Sequence, residues 1–125
     1  MKVIIAGGRD IADYDIQPLV DASGFKIDCV VSGGARGVDK LGEEWAFKNK
    51  IRVERYLPNW DKYGKSAGLR RNHVMAQNAD ALIAIWDGKS KGTKNMIATA
   101  KKQDLKIHIH LVGDIIEGPF LDIPS

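Results

Sequence analysis

The chain has 125 residues, of which 44% are hydrophobic and 28% are charged, a size and composition ordinary for one globular domain and unlike a disordered or fibrous protein. Its apolar runs are only strand-sized, which argues against a membrane-spanning helix, and its single cysteine, Cys29, argues against a disulfide framework. We expect one domain over residues 1–125 in the cytoplasm, with no metal, no cofactor and no membrane partner.

The formal net charge of +3 is distributed unevenly along the chain. Residues 1–54 carry 8 basic and 9 acidic side chains, whereas residues 55–106 carry 11 basic and 4 acidic ones. A basic central segment favours an anionic ligand, and a solvated, lysine-rich surface is the alternative.

In chain order, apolar or alternating runs predict five strands, and segments with helical spacing lie between them. The predicted strands cover residues 2–6, 28–32, 52–57, 81–86 and 106–111. The predicted helices run from about 16 to a stop at Gly24, then over about 38–49, 67–78 and 92–103. A long polar loop is expected at 58–66. Residues 112–125 are expected to form a C-terminal extension that packs on the sheet edge or on a partner subunit.

Strands that alternate with helices predict an α/β protein, with a Rossmann-like, mostly parallel five-stranded sheet covered by helices on both faces. In such a sheet, ligands bind at the carboxyl ends of the strands. Four unusual turns fall at that end, at residues 7–10, 32–39, 67–72 and 87–93. Together with Trp60 of the loop, they supply our candidate ligand-binding residues: Gly7, Gly8, Arg9, Asp10, Ser32, Gly33, Gly34, Ala35, Arg36, Gly37, Asp39, Trp60, Gly68, Arg71, Asn72, Asp87, Gly88, Ser90, Gly92 and Thr93.

The second turn, residues 32–39, is the most informative because glycines let the backbone approach an oxyanion and the helix that follows favours negative charge. Its Ser32, Gly34 and Gly37 match the spacing of the dinucleotide fingerprint only in part, since serine replaces the first glycine. The turn predicts a phosphate site, and a purely structural tight turn is the alternative.

Several side chains near the turns suit an anionic ligand. Arg9 and Arg36 could clamp a phosphate, Asp39 could accept a ribose hydroxyl or hold Arg36, and Trp60 could stack on a base or simply pack. Arg71 lies in the first turn of a predicted helix, where a basic residue opposes the helix dipole unless an anion lies nearby.

Together, the motifs Gly-Gly-Arg-Asp, Ser-Gly-Gly-Ala-Arg-Gly-Val-Asp, Ala-Gly-x-x-Arg-Asn and Trp-Asp-Gly-x-Ser-x-Gly-Thr resemble the YspA-type branch of the SLOG superfamily, which joins Smf/DprA to the LOG phosphoribohydrolases. The resemblance covers residues 1 to about 105. It implies a domain that binds nucleotides or nucleotide-derived ligands. The carboxylate that LOG enzymes have shortly after Gly-Thr is absent, because Lys94, Asn95 and Met96 follow Thr93.

Three functions remain open. The favoured one is a sensor or sequestering module for a nucleotide or nucleotide-derived ligand. The second is a phosphoribohydrolase-like enzyme that cleaves the N-glycosidic bond of a nucleoside monophosphate, with no catalytic residue assigned. The third is single-stranded nucleic-acid binding, as in DprA. By analogy with related SLOG proteins, we also expect a homo-oligomer, as a dimer or a larger assembly.

Overall fold

The computed structural model describes residues 1–112 of the chain. In that part, the strands are β1 (Lys2–Gly7), β2 (Cys29–Ser32), β3 (Arg52–Arg55), β4 (Ala81–Trp86) and β5 (Lys106–Leu111). The helices are α1 (Gln17–Ser23), α2 (Val38–Lys48), α3 (Trp60–Tyr63), α4 (Ala67–Gln77) and α5 (Lys91–Lys102), with a 3-10 turn at Gly64–Ser66 between α3 and α4.

The strands form one sheet of order β3-β2-β1-β4-β5 in which every pair is parallel. The register places Ile4 beside Val31 and Ile5 beside Ile83. The central strands are continuous apolar runs because a parallel sheet with helices on both sides is buried on both faces. The Rossmann-like α/β fold predicted from the sequence is therefore confirmed.

Alternate residues of β1 enter two separate cores. Val3 and Ile5 pack with Leu19 of α1 and Val38 of α2 on one face of the sheet. Ile4 lies on the other face in a cluster to which α4 and α5 contribute Met75, Met96 and Ile97. Each of these large side chains contributes about 1.5–3 kcal/mol on burial, so the hydrophobic pattern holds both helical layers in place.

Most predicted elements agree with the structure to within one residue at each end, and there are two larger differences. Strands β4 and β5 have the predicted bounds, whereas β3 ends at Arg55 rather than at residue 57. The expected loop at 58–66 instead contains α3 and the 3-10 turn, because the side-chain oxygen of Asn59 accepts a hydrogen bond from the Lys62 amide (3.1 Å) and caps a short helix. The predicted extension at 112–125 lies outside the described residues, apart from Val112.

The chain changes from one face of the sheet to the other at the centre of the strand order. The α1 crossover leaves β1 toward β2, whereas the α5 crossover leaves β4 toward β5 on the opposite face. A crevice therefore opens at the carboxyl ends of β1 and β4. Across residues 1–112, no helix is long and apolar enough to cross a membrane.

Candidate functional site

The first two glycine-rich turns touch through their backbones. Gly37 has a φ of +80°, and a β-carbon added there would lie 2.3 Å from the Gly8 carbonyl oxygen and 2.6 Å from the Arg9 α-carbon. The same Gly8 carbonyl accepts a hydrogen bond from the Val38 amide at 3.2 Å. A residue with a side chain would separate these segments, so glycine at position 37 makes the two turns one continuous surface.

Ser32 fixes the shape of the second turn from within. Its buried hydroxyl accepts a hydrogen bond from the Gly34 amide (3.0 Å) and donates one to the carboxylate of Glu43 (2.6 Å). Glu43 also takes two hydrogen bonds from Arg55, at 2.9 and 2.6 Å. The hydrogen bonds from Arg55 are the main reason that the pKa of Glu43 lies below its usual range. The Ser32 hydroxyl is therefore committed to the fold.

Sequence reasoning did not single out Arg55. The signal that would have found it is the parallel register, which pairs Ser32 with Arg55 across β2 and β3. The carboxylate of Glu43 is shared between Ser32 and Arg55. This network stabilises the turn rather than presenting a free carboxylate.

Asp39 and Arg71 face one another across Gly33. A β-carbon on Gly33 would lie 2.6 Å from Nη1 of Arg71 and 2.8 Å from Oδ2 of Asp39. Arg71 donates a hydrogen bond to the Gly33 carbonyl, and Asp39 accepts one from the Ala35 amide at 3.2 Å. Because Gly33 has no side chain, Arg71 of α4 can approach the second turn closely enough to form this hydrogen bond.

The two charges of this cluster are strongly desolvated. Asp39 is 6% exposed, and burial raises the pKa of its carboxyl to about 6, although the Ala35 amide and the Arg71 charge act in the opposite direction. Burial also lowers the pKa of Arg71, and the nearby Arg9 acts the same way. A carboxyl with a pKa of about 6 therefore lies beside the guanidinium of Arg71.

Arg36 is held much more loosely. Its guanidinium lies 3.4 Å from the carboxylate of Asp10, and the two side chains are 72% and 94% exposed. The alternative in which Asp39 holds Arg36 is not what the structure shows. An exposed pair of this kind contributes about 0–1 kcal/mol, so Arg36 can exchange Asp10 for another anion at little cost.

The fourth turn, after β4, is organised by Asp87. Its Oδ1 accepts hydrogen bonds from the amides of Lys89 and Ser90, both at 2.8 Å. These bonds hold the pKa of Asp87 below its usual value, the bond from Ser90 having the largest effect. Ser90 in turn caps α5 by accepting from the Thr93 amide at 3.5 Å. The Asp87 carboxylate is therefore used inside its own turn.

The third and fourth turns are joined by two amide side chains. Asn72 is 7% exposed, and its Nδ2 donates to Oδ1 of Asn95 at 2.9 Å. Asn72 Oδ1 accepts from Nε of Arg71 at 3.0 Å. Asn95 lies close after Gly92 and Thr93, where the sequence resemblance leads one to expect a carboxylate, and it serves instead to connect α5 with α4.

Gly88, Gly92 and Trp60, which were also predicted to bind the ligand, differ in conformation and surroundings. Gly88 has a φ of +82°, and the space around the α-carbon of Gly92 is open. Trp60 is 53% exposed and lies against Gly68 on α4. Trp86, by contrast, packs against the core and donates to the Ser90 carbonyl at 3.1 Å.

Two cavities lie near this region. The larger, of about 1150 Å³, is bounded mainly by α2 and β3 and includes none of the predicted ligand-binding residues. The smaller, of about 680 Å³, is bounded by the end of β3, α3 and α4 and includes Arg71.

Residues 1–112 hold no cluster of three or more metal-ligating side chains. The ring of His110 forms a hydrogen bond with the hydroxyl of Tyr14 at 2.6 Å.

Two comparisons bear on this site. The family model described as YspA, cpYpsA-related SLOG matches residues 1–63, which include the first two turns. The chain is also 33% identical over 84 residues to the Gene 61 protein of Mycobacterium phage D29, a match that covers 62% of this chain and 67% of the phage protein. No solved structure matches the chain significantly.

Proposed function

The chain belongs to the YspA, cpYpsA-related SLOG family, and from that premise we propose that it binds a nucleotide or nucleotide-derived ligand whose phosphate rests on the glycine-rich turns. The observation that carries the proposal is the contact between successive turns. The Gly8 carbonyl meets the second turn, Arg71 reaches Gly33, and Asn72 reaches Asn95. Four segments far apart in the chain thus form one rim.

The charges on this rim favour an anion. Burial is the main reason that the pKa of Arg71 is lowered, and the nearby Arg9 adds to it. The first turns of α4 and α5 contain no acidic residue, whereas the first turn of α2 contains the buried Asp39. Backbone amides at helix starts add partial positive charge. In this proposal Arg36 leaves Asp10 and clamps the phosphate, because a charge-assisted bond to phosphate is stronger than its exposed pair with Asp10. Such a module would act as a sensor or would sequester its ligand.

The test is calorimetric titration with the four ribonucleoside 5′-monophosphates and with ribose 5-phosphate. Arg36→Ala should weaken binding about tenfold or more, since a hydrogen bond to a charged group contributes about 1.5–3 kcal/mol. Arg52→Ala is the matched control. Arg52 is 64% exposed and lies 3.3 Å from Glu54, much as Arg36 lies 3.4 Å from Asp10, but it is at the opposite end of the sheet. Absence of binding by every probe, or equal loss in both variants, would refute the proposal.

A second candidate function is hydrolysis of the N-glycosidic bond of a nucleoside monophosphate, and Asp39 is the observation that favours it. A buried carboxyl with a pKa of about 6 beside Arg71 is suited to general acid–base chemistry near neutral pH. Chromatography of long incubations should then show free base and ribose 5-phosphate, and Asp39→Asn should abolish their release. Intact nucleotides in all four incubations would exclude this function while leaving ligand binding standing.

A further inference from the structure

The smaller cavity beside Arg71 has a distinctive lining. It has a volume of about 680 Å³, within the range of small-molecule sites. Its charged side chains are all basic, and among the described residues no carboxylate lines it. The rest of the lining is largely apolar or aromatic and includes Leu57, Pro58, Tyr63, Ala67, Leu69 and Val74.

The cavity and the second turn share a wall. Arg71 lines the cavity, and its guanidinium donates to the carbonyl of Gly33 on the turn. Leu57 also lines the cavity, and its side chain would be the first to contact a β-carbon added to Gly34. A ligand anchored at the turn can therefore extend directly into the cavity.

The cavity also contains a stacking surface. The guanidinium carbon of Arg70 lies 4.4 Å from the centre of the Tyr63 ring, and Arg70 is exposed. Leu57 and Leu69 are 66% and 51% exposed, so their apolar surface is available to a ligand in the cavity. Aromatic rings and guanidinium planes bind nucleic acid bases by stacking, largely without regard to base identity.

We propose that this cavity takes the planar aromatic base of the ligand, with its phosphate on the glycine-rich turns. This inference rests on the proposed binding function and adds a direction to it: the ligand runs from the second turn across Arg71 toward Arg70 and Tyr63. The Arg70 guanidinium beside Tyr63 favours a planar aromatic ligand over an aliphatic side chain of a partner protein, because guanidinium planes and aromatic rings stack on flat rings.

The first test compares mononucleotides with ribose 5-phosphate, which has the same sugar and phosphate but no base. In amide NMR spectra of the whole chain, both probes should shift the Gly34 and Gly37 signals. Only the mononucleotides should shift the signals of Tyr63, Leu69 and Arg70. Equal shifts of those three signals by both probes, or no shift by either, would overturn the placement of the base.

The second test uses matched aromatic variants in calorimetry. Tyr63→Ala should weaken the best mononucleotide about fivefold or more and leave ribose 5-phosphate within about twofold. Phe47→Ala, which removes another exposed aromatic ring that does not line this cavity, should change neither affinity.

The outcomes separate the two proposals. Mononucleotides that bind no tighter than ribose 5-phosphate would overturn the base cavity and leave the phosphate site intact. Equal weakening of both probes by Tyr63→Ala would show that the ring has only a structural role, and this too overturns the proposal. If no probe binds, the proposed function itself fails and the base cavity fails with it.

Discussion

The buried carboxyl of Asp39 should make the protein less stable at neutral pH than an uncharged residue would. Asp39 is 6% exposed, and burial raises its pKa from 3.8 to about 6. A difference of about 2 pKa units corresponds to about 3 kcal/mol at 1.36 kcal/mol per unit. Asp39→Asn keeps the shape of the side chain and an oxygen that can accept from the Ala35 amide, but it removes the buried charge.

The sign of the effect follows from proton binding. Between about pH 4 and pH 6 the native state keeps a proton on Asp39 that the unfolded chain has largely released, so the free energy of unfolding falls as the pH rises. The loss is complete about one pH unit above this pKa. At pH 7.5 we therefore expect Asp39→Asn to raise the free energy of unfolding by about 1–3 kcal/mol, and at pH 4 we expect the two proteins to differ little.

Urea unfolding followed by tryptophan fluorescence at pH 4 and pH 7.5 measures this difference. Comparing the variant with the unaltered protein at each pH cancels the other titrating groups. Asp10→Asn is the control, because the Asp10 side chain is 94% exposed and its loss should have little effect at either pH. If Asp39→Asn were equally stable or less stable at pH 7.5, Arg71 and the nearby amides would compensate fully for burial, and the reasoning would be wrong.

Two further predictions use the same unfolding assay. Glu43→Gln should show the opposite trend with pH: the hydrogen bonds from Arg55 lower the pKa of Glu43, so its stabilisation is present above about pH 4.5 and is lost as the pH falls. A loss of stability that is as large at pH 3 as at pH 7.5 would contradict this. Gly37→Ala should destabilise the protein by about 3 kcal/mol or more, because its φ of +80° is combined with overlap on the Gly8 carbonyl. At Gly24, where φ is +74° and the surrounding space is open, alanine should cost only about 1 kcal/mol, and equal losses at the two glycines would show that backbone overlap is unimportant.

Much of the fold could be predicted because its determinants are local. The run Ala81–Trp86 is apolar throughout, and that alone indicates a strand buried on both faces. Helix α1 begins with Pro18 in its first turn and ends at Gly24, which adopts the left-handed conformation with its amide bonded to the Asp21 carbonyl. Three of the four turns could be located for the same reason, since glycines mark them directly after β1, β2 and β4.

The sequence pattern did not predict α3, whose start depends on one capping hydrogen bond. The polar segment at 58–66 has no apolar periodicity, and a single hydrogen bond at Asn59 is enough to start α3. Composition alone does not reveal a bond of this kind, and so the segment looked like a loop.

The sequence by itself determined a Rossmann-like sheet, a set of glycine-rich turns at its carboxyl edge and a family resemblance. Only the tertiary structure decided how the turns are joined. Arg71 meets Gly33, Glu43 meets Arg55, and Asn72 meets Asn95. The physical reason is that these partners lie 38, 12 and 23 positions apart, and the order and register of the strands, rather than any local pattern, bring them together.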